Sequence, residues 1–204
     1  MAQYGIQLRQ MVNVIRSFIA VPLPPQIHKN LAIFTRQYGL NSRENGFRPV
    51  KPENIHLTLK FLGEIEEHML PKVSNVLSIL TENLSPFTGS VRAIGAFPGW
   101  DKNPRVIWVG IEPEELFRDI YRVVDETTTK LGIPSDGKRF TPHLTLARIS
   151  FQSHESDLVF NKLKGLSPEP EFGEFTVDRV HFIKSVLLPQ GPAYTLLSSH
   201  PFSA

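Results

Sequence analysis

The sequence of 204 residues predicts an α+β fold whose strands pair mainly antiparallel. The tetrapeptide His-Leu-Thr-Leu occurs at residues 56–59 and again at residues 143–146, and its alternation of polar and apolar residues is typical of a half-buried strand. A predicted strand and helix come before each copy, which indicates an internal duplication. Several predicted strands follow one another directly, and this order favours antiparallel pairing over a doubly wound parallel sheet.

The elements of the first half follow from apolar spacing and from prolines. An apolar run at residues 17–21 predicts a buried strand, and the prolines after it are well placed to begin a helix through residues 27–38. A short strand at residues 47–50 leads to the first motif. Residues 63–67 are predicted to turn, and apolar residues at helical spacing predict a second helix through residues 70–80.

The second half is predicted to contain strands at residues 87–97 and 105–111, a helix at residues 112–132, the strand of the second motif, a weaker helix at residues 155–164 and a last strand at residues 194–197. Before that last strand, residues 172–183 alternate imperfectly, which indicates either a bulge or two strands. Residues 1–15 are polar and mixed. We assign them to an N-terminal extension, frayed or briefly helical, and residues 16–204 to a single domain.

Composition and charge limit the class of protein. Hydrophobic residues make up 41% and charged residues 21%, as in ordinary soluble globular proteins, and no apolar run reaches the roughly 18 residues of a membrane span. Cysteine is absent, which excludes disulfides and thiolate metal sites and leads us to expect a cytoplasmic protein. The net charge of +2 suits a polyanionic ligand without demanding one. We expect a monomer without metal, cofactor or membrane partner.

The two motifs together suit the chemistry of a phosphodiester. Alternate residues of a strand share a face, so His56 and Thr58 point one way, and His143 and Thr145 repeat that arrangement. Imidazole titrates near neutral pH, so one histidine can be the base for an incoming oxygen and the other the acid for a leaving oxygen. The threonine hydroxyls can donate hydrogen bonds to the non-bridging oxygens, and no metal is needed. The alternative is that both motifs are core strands with satisfied histidines.

Residues 52–63 (PENIHLTLKFLG) resemble the first signature of the two-histidine (2H) phosphoesterases, and residues 142–148 (PHLTLAR) resemble the second. Within that superfamily the chain is most similar to RNA 2′,3′-cyclic phosphodiesterases, also called 2′-5′ RNA ligases, with residues 104–108 and 191–194 as supporting stretches. The resemblance implies two pseudo-symmetric lobes, each a mainly antiparallel sheet with helices on the outside. An active-site cleft would lie between the lobes and take one motif from each.

The resemblance also implies an activity and a role for each motif residue. RNA ends that carry a 2′,3′-cyclic phosphate would be hydrolysed to 2′-phosphomonoesters, with 2′-5′ RNA ligation as related reverse chemistry. His143 would accept a proton from water, His56 would donate one to the departing 3′ oxygen, and Thr58 and Thr145 would hold the phosphoryl oxygens. Two alternatives stay open: a phosphodiesterase for 2′-5′ oligonucleotides or small cyclic nucleotides, and a non-catalytic module that binds RNA ends.

Phe61 and Arg148 follow the histidines of the two copies by five residues. Strict alternation places them on the opposite face, where Phe61 would be core and Arg148 an awkward inward charge. In the resembling family the arginine binds phosphate and the aromatic residue lies near the nucleotide, which requires the strand to twist, bulge or end before Arg148. Lys60 shares the face of His56, and we expect it to be solvated at the strand end.

Other polar residues carry weaker expectations. The resembling family often has an arginine directly before the Pro-His pair; here that place is taken by Thr141, and Arg139 is a candidate contact to a nucleic-acid backbone. The remaining histidines have no partner at metal-like spacing and are predicted to lie at the surface or to pack: His28, His68, His154, His181 and His200.

Overall fold

A computed structural model describes residues 13–137 and 139–203 of the chain. The predicted N-terminal extension up to residue 12 lies outside the described residues. In chain order the elements are β1 (Val14–Val21), α1 (Pro25–Gln37), β2 (Phe47–Pro49), β3 (Leu57–Glu66), α2 (Leu70–Thr81), β4 (Phe87–Phe97), β5 (Val106–Glu112), α3 (Glu114–Thr129), β6 (His143–Ile149), α4 (His154–Lys164), β7 (Glu171–Val177), β8 (Arg179–Leu188) and β9 (Gly191–Pro201). Short 3-10 helices at Pro52–Asn54 and Glu67–Met69 come before β3 and α2.

The strands form two sheets with antiparallel pairing throughout, which confirms the predicted α+β class. The first sheet has the order β3-β1-β8-β9, and the second has the order β2-β6-β5-β4-β7. The first motif lies at the start of β3 and the second on β6, so each sheet carries one copy. Because β8 and β9 come from the C-terminal part of the chain, the two lobes are not simply the two halves of the sequence.

The helices begin where prolines and a capping serine place them. Proline occupies the first turn of α1 and of α2, and Ser153 forms a capping box with Ser156 at the start of α4. α2 contacts β8 and β9 of the first sheet, whereas α4 contacts β4 of the second. α3 contacts β3 of the first sheet and β5 of the second, so it joins the two lobes. Within the described ranges, each helix is too short or too polar to cross a lipid bilayer.

Several boundaries differ from those expected from the sequence. β1 begins at Val14, which pairs with Glu66, so the expected boundary between residues 15 and 16 falls inside a strand. The turn predicted at residues 63–67 is wrong, because β3 continues to Glu66; Gly63 has a φ of 70° beside a register shift and forms a bulge within the strand. Residues 172–183 divide into β7 and β8, which are separated by Asp178. β9 is longer than predicted because it pairs with β8 along its length.

Candidate active site

A β-bulge interrupts β3 directly after the first motif threonine. The pairing of β3 with β1 skips Leu59, so that the residues on either side of it face successive residues of β1. Leu59 and Lys60 are therefore both buried. Phe61 returns to the open face, which is the face of β3 that also holds Thr58, and 55% of its surface is exposed. The expectation of a solvated Lys60 is wrong: the bulge turns this side chain inwards, and its exposed fraction is 0%.

The second motif repeats this bulge at the equivalent place. The pairing of β6 with β5 skips Leu146. Leu146 and Ala147 are both buried, and Arg148 is exposed on the open face that also holds Thr145. The bulge that a phosphate-binding role of Arg148 requires is therefore present, and Arg148 is not an inward charge.

His56 is held by a backbone carbonyl and packed between aromatic rings. Its Nδ1 lies 2.7 Å from the carbonyl oxygen of Asn54, so Nδ1 donates and Nε2 is the nitrogen that can exchange a proton. The ring stacks on Phe18 at 4.7 Å and meets the edge of Tyr194 at 5.4 Å. Burial lowers the pKa of His56 from 6.5 to about 4; the Asn54 carbonyl opposes this shift in part, and the charge of His28 adds to it.

His143 has a matching environment. Its Nδ1 lies 2.7 Å from the carbonyl oxygen of Thr141, which again leaves Nε2 to exchange a proton. Phe97 and Trp108 meet the ring edge-on, with centroids at 5.0 and 6.3 Å. Burial lowers the pKa of His143; the Thr141 carbonyl opposes the shift, and the charge of Arg148 adds to it. Both rings are therefore neutral at neutral pH in the free protein.

The two sheets contact each other through the strands that carry the motifs. β3 of the first sheet contacts β6 of the second. Burial raises the pKa of Tyr194, while the charges of Arg148 and Arg16 act in the opposite direction. The charge of Arg148, on the second sheet, therefore acts on Tyr194 of the first, whose ring packs against His56.

Sequence reasoning did not identify the aromatic neighbours of the histidines. Phe18 and Trp108 stand in apolar strand runs, where an aromatic residue looks like ordinary core. Each lies on a strand directly paired with a motif strand, and local spacing carries no signal for that pairing. Gly95 provides space for the indole of Trp108, because a Cβ at this position would lie 2.2 Å from the ring.

The remaining histidines mostly behave as predicted. His200 is buried and bonds to the hydroxyls of Ser78 and Ser198, whereas His68 is exposed and pairs with Glu66 at 2.9 Å. The exception is His28, which belongs to the surroundings of His56. Both ring nitrogens of His28 face backbone oxygens, those of Pro52 and Leu23, and its charge acts on His56.

Arg139, the candidate contact to a nucleic-acid backbone, is exposed. Over residues 13–137 and 139–203, no group of three or more histidine, aspartate or glutamate side chains is placed to hold a metal ion.

A family model described as LigT like Phosphoesterase matches the chain twice, over residues 21–108 and over residues 109–194. Each match contains one motif, in agreement with the predicted duplication. The RNA 2′,3′-cyclic phosphodiesterase of Methanocaldococcus jannaschii is 32% identical over 184 residues, which cover 89% of this chain and 98% of the relative. The protein of the same name from Methanothermobacter thermautotrophicus is 34% identical over 184 residues, which cover 89% of this chain and 95% of the relative.

Solved structures show the same bilobal architecture. The crystal structure of a Thermus thermophilus protein has a TM-score of 0.75 at 30% identity, covering 93% of this chain and 98% of that one. Escherichia coli LigT complexed with 3′-AMP has a TM-score of 0.75 at 22% identity and covers 94% of this chain and 100% of its own, which supports the fold alone. The expected pseudo-symmetric lobes are confirmed, and the chain belongs to the LigT-like family of two-histidine phosphoesterases.

Proposed function

We propose that this protein is an RNA 2′,3′-cyclic phosphodiesterase that opens cyclic ends to 2′-phosphomonoesters. The observation that carries the proposal is the matched construction of the two motifs. In each, Nδ1 of the histidine is fixed by the carbonyl two residues earlier, a threonine follows on the same face, and a bulge follows the threonine. The names of the relatives from Methanocaldococcus jannaschii and Methanothermobacter thermautotrophicus support the substrate.

In the proposed reaction, water attacks the phosphorus of the cyclic ester. His143 accepts the proton of that water on Nε2, while a protonated His56 donates its Nε2 proton to the 3′ oxygen. The bond between phosphorus and the 3′ oxygen breaks, which leaves the phosphate on the 2′ oxygen. Thr58 and Thr145 donate hydrogen bonds to the non-bridging oxygens. The assignment of acid and base follows the family resemblance.

Arg148 and Phe61 complete the proposed substrate site. The planar guanidinium of Arg148 matches the geometry of a phosphate and stabilises charge on its oxygens. The ring of Phe61 is exposed on the open face of β3, 5.9 Å from that of Phe18, and offers a surface on which a base can stack. We further propose that the protein acts as a monomer and needs no metal. Ligation of a cyclic end to a 5′-hydroxyl, giving a 2′-5′ linkage, is the related reverse chemistry.

The direct test is the product formed in the presence of excess chelator. An RNA oligonucleotide that ends in a 2′,3′-cyclic phosphate should be converted to a 2′-phosphomonoester at an undiminished rate, because the proton transfers use only the two imidazoles. Product position is assigned by phosphorus NMR. Loss of turnover with chelator and its recovery with a divalent metal would overturn the two-histidine mechanism. If the protein turns over 2′-5′-linked oligonucleotides or 3′,5′-cyclic nucleotides in preference to the 2′,3′-cyclic end, the preferred compound is the substrate and the proposed one is wrong.

The lowered pKa values of the histidines predict an acid-shifted pH profile. The reaction needs one ring protonated and the other neutral, so a plot of kcat/KM against pH should be bell-shaped. Because kcat/KM reports the pKa values of the free protein, its optimum should lie below the ordinary histidine pKa of about 6.5. A bound phosphate anion stabilises imidazolium and raises both pKa values, so the optimum for kcat should lie at higher pH. Rates across pH at low and saturating substrate measure both. Coincident optima, or a kcat/KM optimum on the alkaline side, would contradict this account.

A further inference from the structure

Two arginines face each other across β2 and β6. In the register of this strand pair, Arg48 lies directly opposite Arg148. Facing residues of an antiparallel pair lie on the same side of the sheet with Cβ atoms about 4.5–5.5 Å apart. Both arginines are exposed. Two guanidinium groups therefore share the open face that also holds Thr145.

The register of this strand pair is fixed by packing. Phe47, next to Arg48, is 0% exposed and meets the ring of Phe160 at 5.9 Å. The backbone N–H of Val50 donates to the carbonyl of Leu146 at 2.8 Å. A slip by one residue would expose Phe47, so the strand cannot separate the arginines by shifting along its partner.

Within the described residues, no carboxylate is paired with the two guanidinium charges. Like charges directly opposite each other destabilise a sheet. Across residues 13–137 and 139–203, neither Arg48 nor Arg148 forms an ion pair with a carboxylate. An anionic ligand would remove the repulsion. In the proposed reaction, the reacting phosphate would supply one such charge at Arg148 and would leave Arg48 beside it without one.

Arg48 lies on the edge strand of the second sheet. β2 is the edge strand beyond β6, and it pairs only with the end of β6 that is remote from His143. The chain continues from β2 through Pro52–Asn54 directly into His56. Arg48 is therefore at the rim of the site, next to the guanidinium assigned to the reacting phosphate but further from the histidine of its own sheet.

We propose that Arg48 binds the internucleotide phosphodiester adjacent to the cyclic end, so that the site selects oligonucleotide ends over cyclic mononucleotides. The inference rests on the proposed function, because it takes the reacting phosphate to lie at Arg148. The fork of Arg48 would bind the two non-bridging oxygens of the neighbouring phosphodiester. A cyclic mononucleotide has only the reacting phosphate and leaves Arg48 without its ligand.

The test compares a dinucleotide and a mononucleotide, each ending in a 2′,3′-cyclic phosphate. Arg48→Gln should lower kcat/KM for the dinucleotide about tenfold more than for the mononucleotide, mainly through KM, since one charge-assisted contact is lost. The dependence of dinucleotide kcat/KM on salt should also become shallower, because one phosphate contact is lost. The control is Arg36→Gln, which removes an exposed arginine in the last turn of α1 and should not change the ratio.

Each outcome separates the subsite from the proposed function. A wild-type protein that turns over neither substrate would overturn the proposed function, and the subsite with it. With an active wild-type protein, equal losses of Arg48→Gln on both substrates would place Arg48 at the reacting phosphate and overturn the subsite alone. Absence of any loss, or an equal loss in Arg36→Gln, would also overturn the subsite and leave the proposed function standing. Urea unfolding of each variant excludes misfolding, and Arg48→Lys should restore part of the preference.

Discussion

Replacing either motif histidine should nearly abolish turnover. His56→Ala and His143→Ala are each expected to lower kcat about 10²–10⁴-fold, the usual contribution of a positioned proton-transfer group. The two rings act in one step, so the double variant should lose little more than either single variant. Single-turnover rates on a cyclic-phosphate oligonucleotide measure all three. His68→Ala is the matched control, because His68 is exposed and pairs with Glu66 at the end of β3.

A substrate with an activated leaving group tells the acid from the base. Such a group departs without protonation, so it should rescue the variant that lacks the acid, which we assign as His56→Ala. The two environments are so alike that geometry does not decide this order: each ring is fixed at Nδ1 by a carbonyl and packed by two aromatic rings. Rescue of His143→Ala alone would reverse the roles. Full activity in either single variant would end the mechanism.

The motif residues could be predicted from the sequence because their information is local. A tetrapeptide with period two determines which residues share a strand face, and its repetition points to a joint role for the two copies. The side chains after the threonines could not be placed in this way. One extra residue in each strand reverses their direction, which brings Phe61 and Arg148 to the open face and turns Lys60 inwards. A bulge depends on how the neighbouring strand pairs, and a single strand sequence does not record that.

Local sequence patterns also could not predict which strands make up each lobe. β8 and β9 join the first sheet from the C-terminal part of the chain and bring Tyr194 to His56. The pairing of Arg48 with Arg148 connects residues that are remote in the sequence. Each of these contacts depends on which strands become neighbours. Apolar spacing predicts where a strand runs but not which strand it pairs with.

The buried Lys60 provides the largest expected effect on stability. Its ammonium group is paired with the carboxylate of Asp125 on α3, and Ser135 Oγ donates to the other oxygen of that carboxylate at 2.7 Å. The pair connects the motif strand of the first lobe to the helix that contacts both sheets. The equivalent position after the second bulge is Ala147, so the second lobe has no such pair at that place.

Breaking this pair from one side should therefore be costly. Lys60→Met and Asp125→Leu are each expected to lower the free energy of unfolding by about 3–5 kcal/mol, because each leaves a desolvated charge without its partner. The loss should be greater for Asp125→Leu, since the Lys60 side chain is 0% exposed and that of Asp125 is 16% exposed. The double variant removes both charges and should recover most of the loss. Urea unfolding at neutral pH measures all three.

A surface pair and an acid titration complete the test of the Lys60–Asp125 bridge. Lys164→Met breaks an exposed pair with Asp101 and should cost no more than about 1 kcal/mol.

Burial acts to raise the pKa of Asp125, but bonds from Lys60 and Ser135 outweigh it and hold that pKa below its ordinary value. A lowered carboxyl pKa stabilises the fold above the unfolded value of about 3.9, and this stability is lost as the pH falls through the folded pKa. The difference between wild type and Lys60→Met should therefore shrink below about pH 4. A pH-independent difference, or equal costs for Lys60→Met and Lys164→Met, would show that the buried bridge does not stabilise the joint between the lobes.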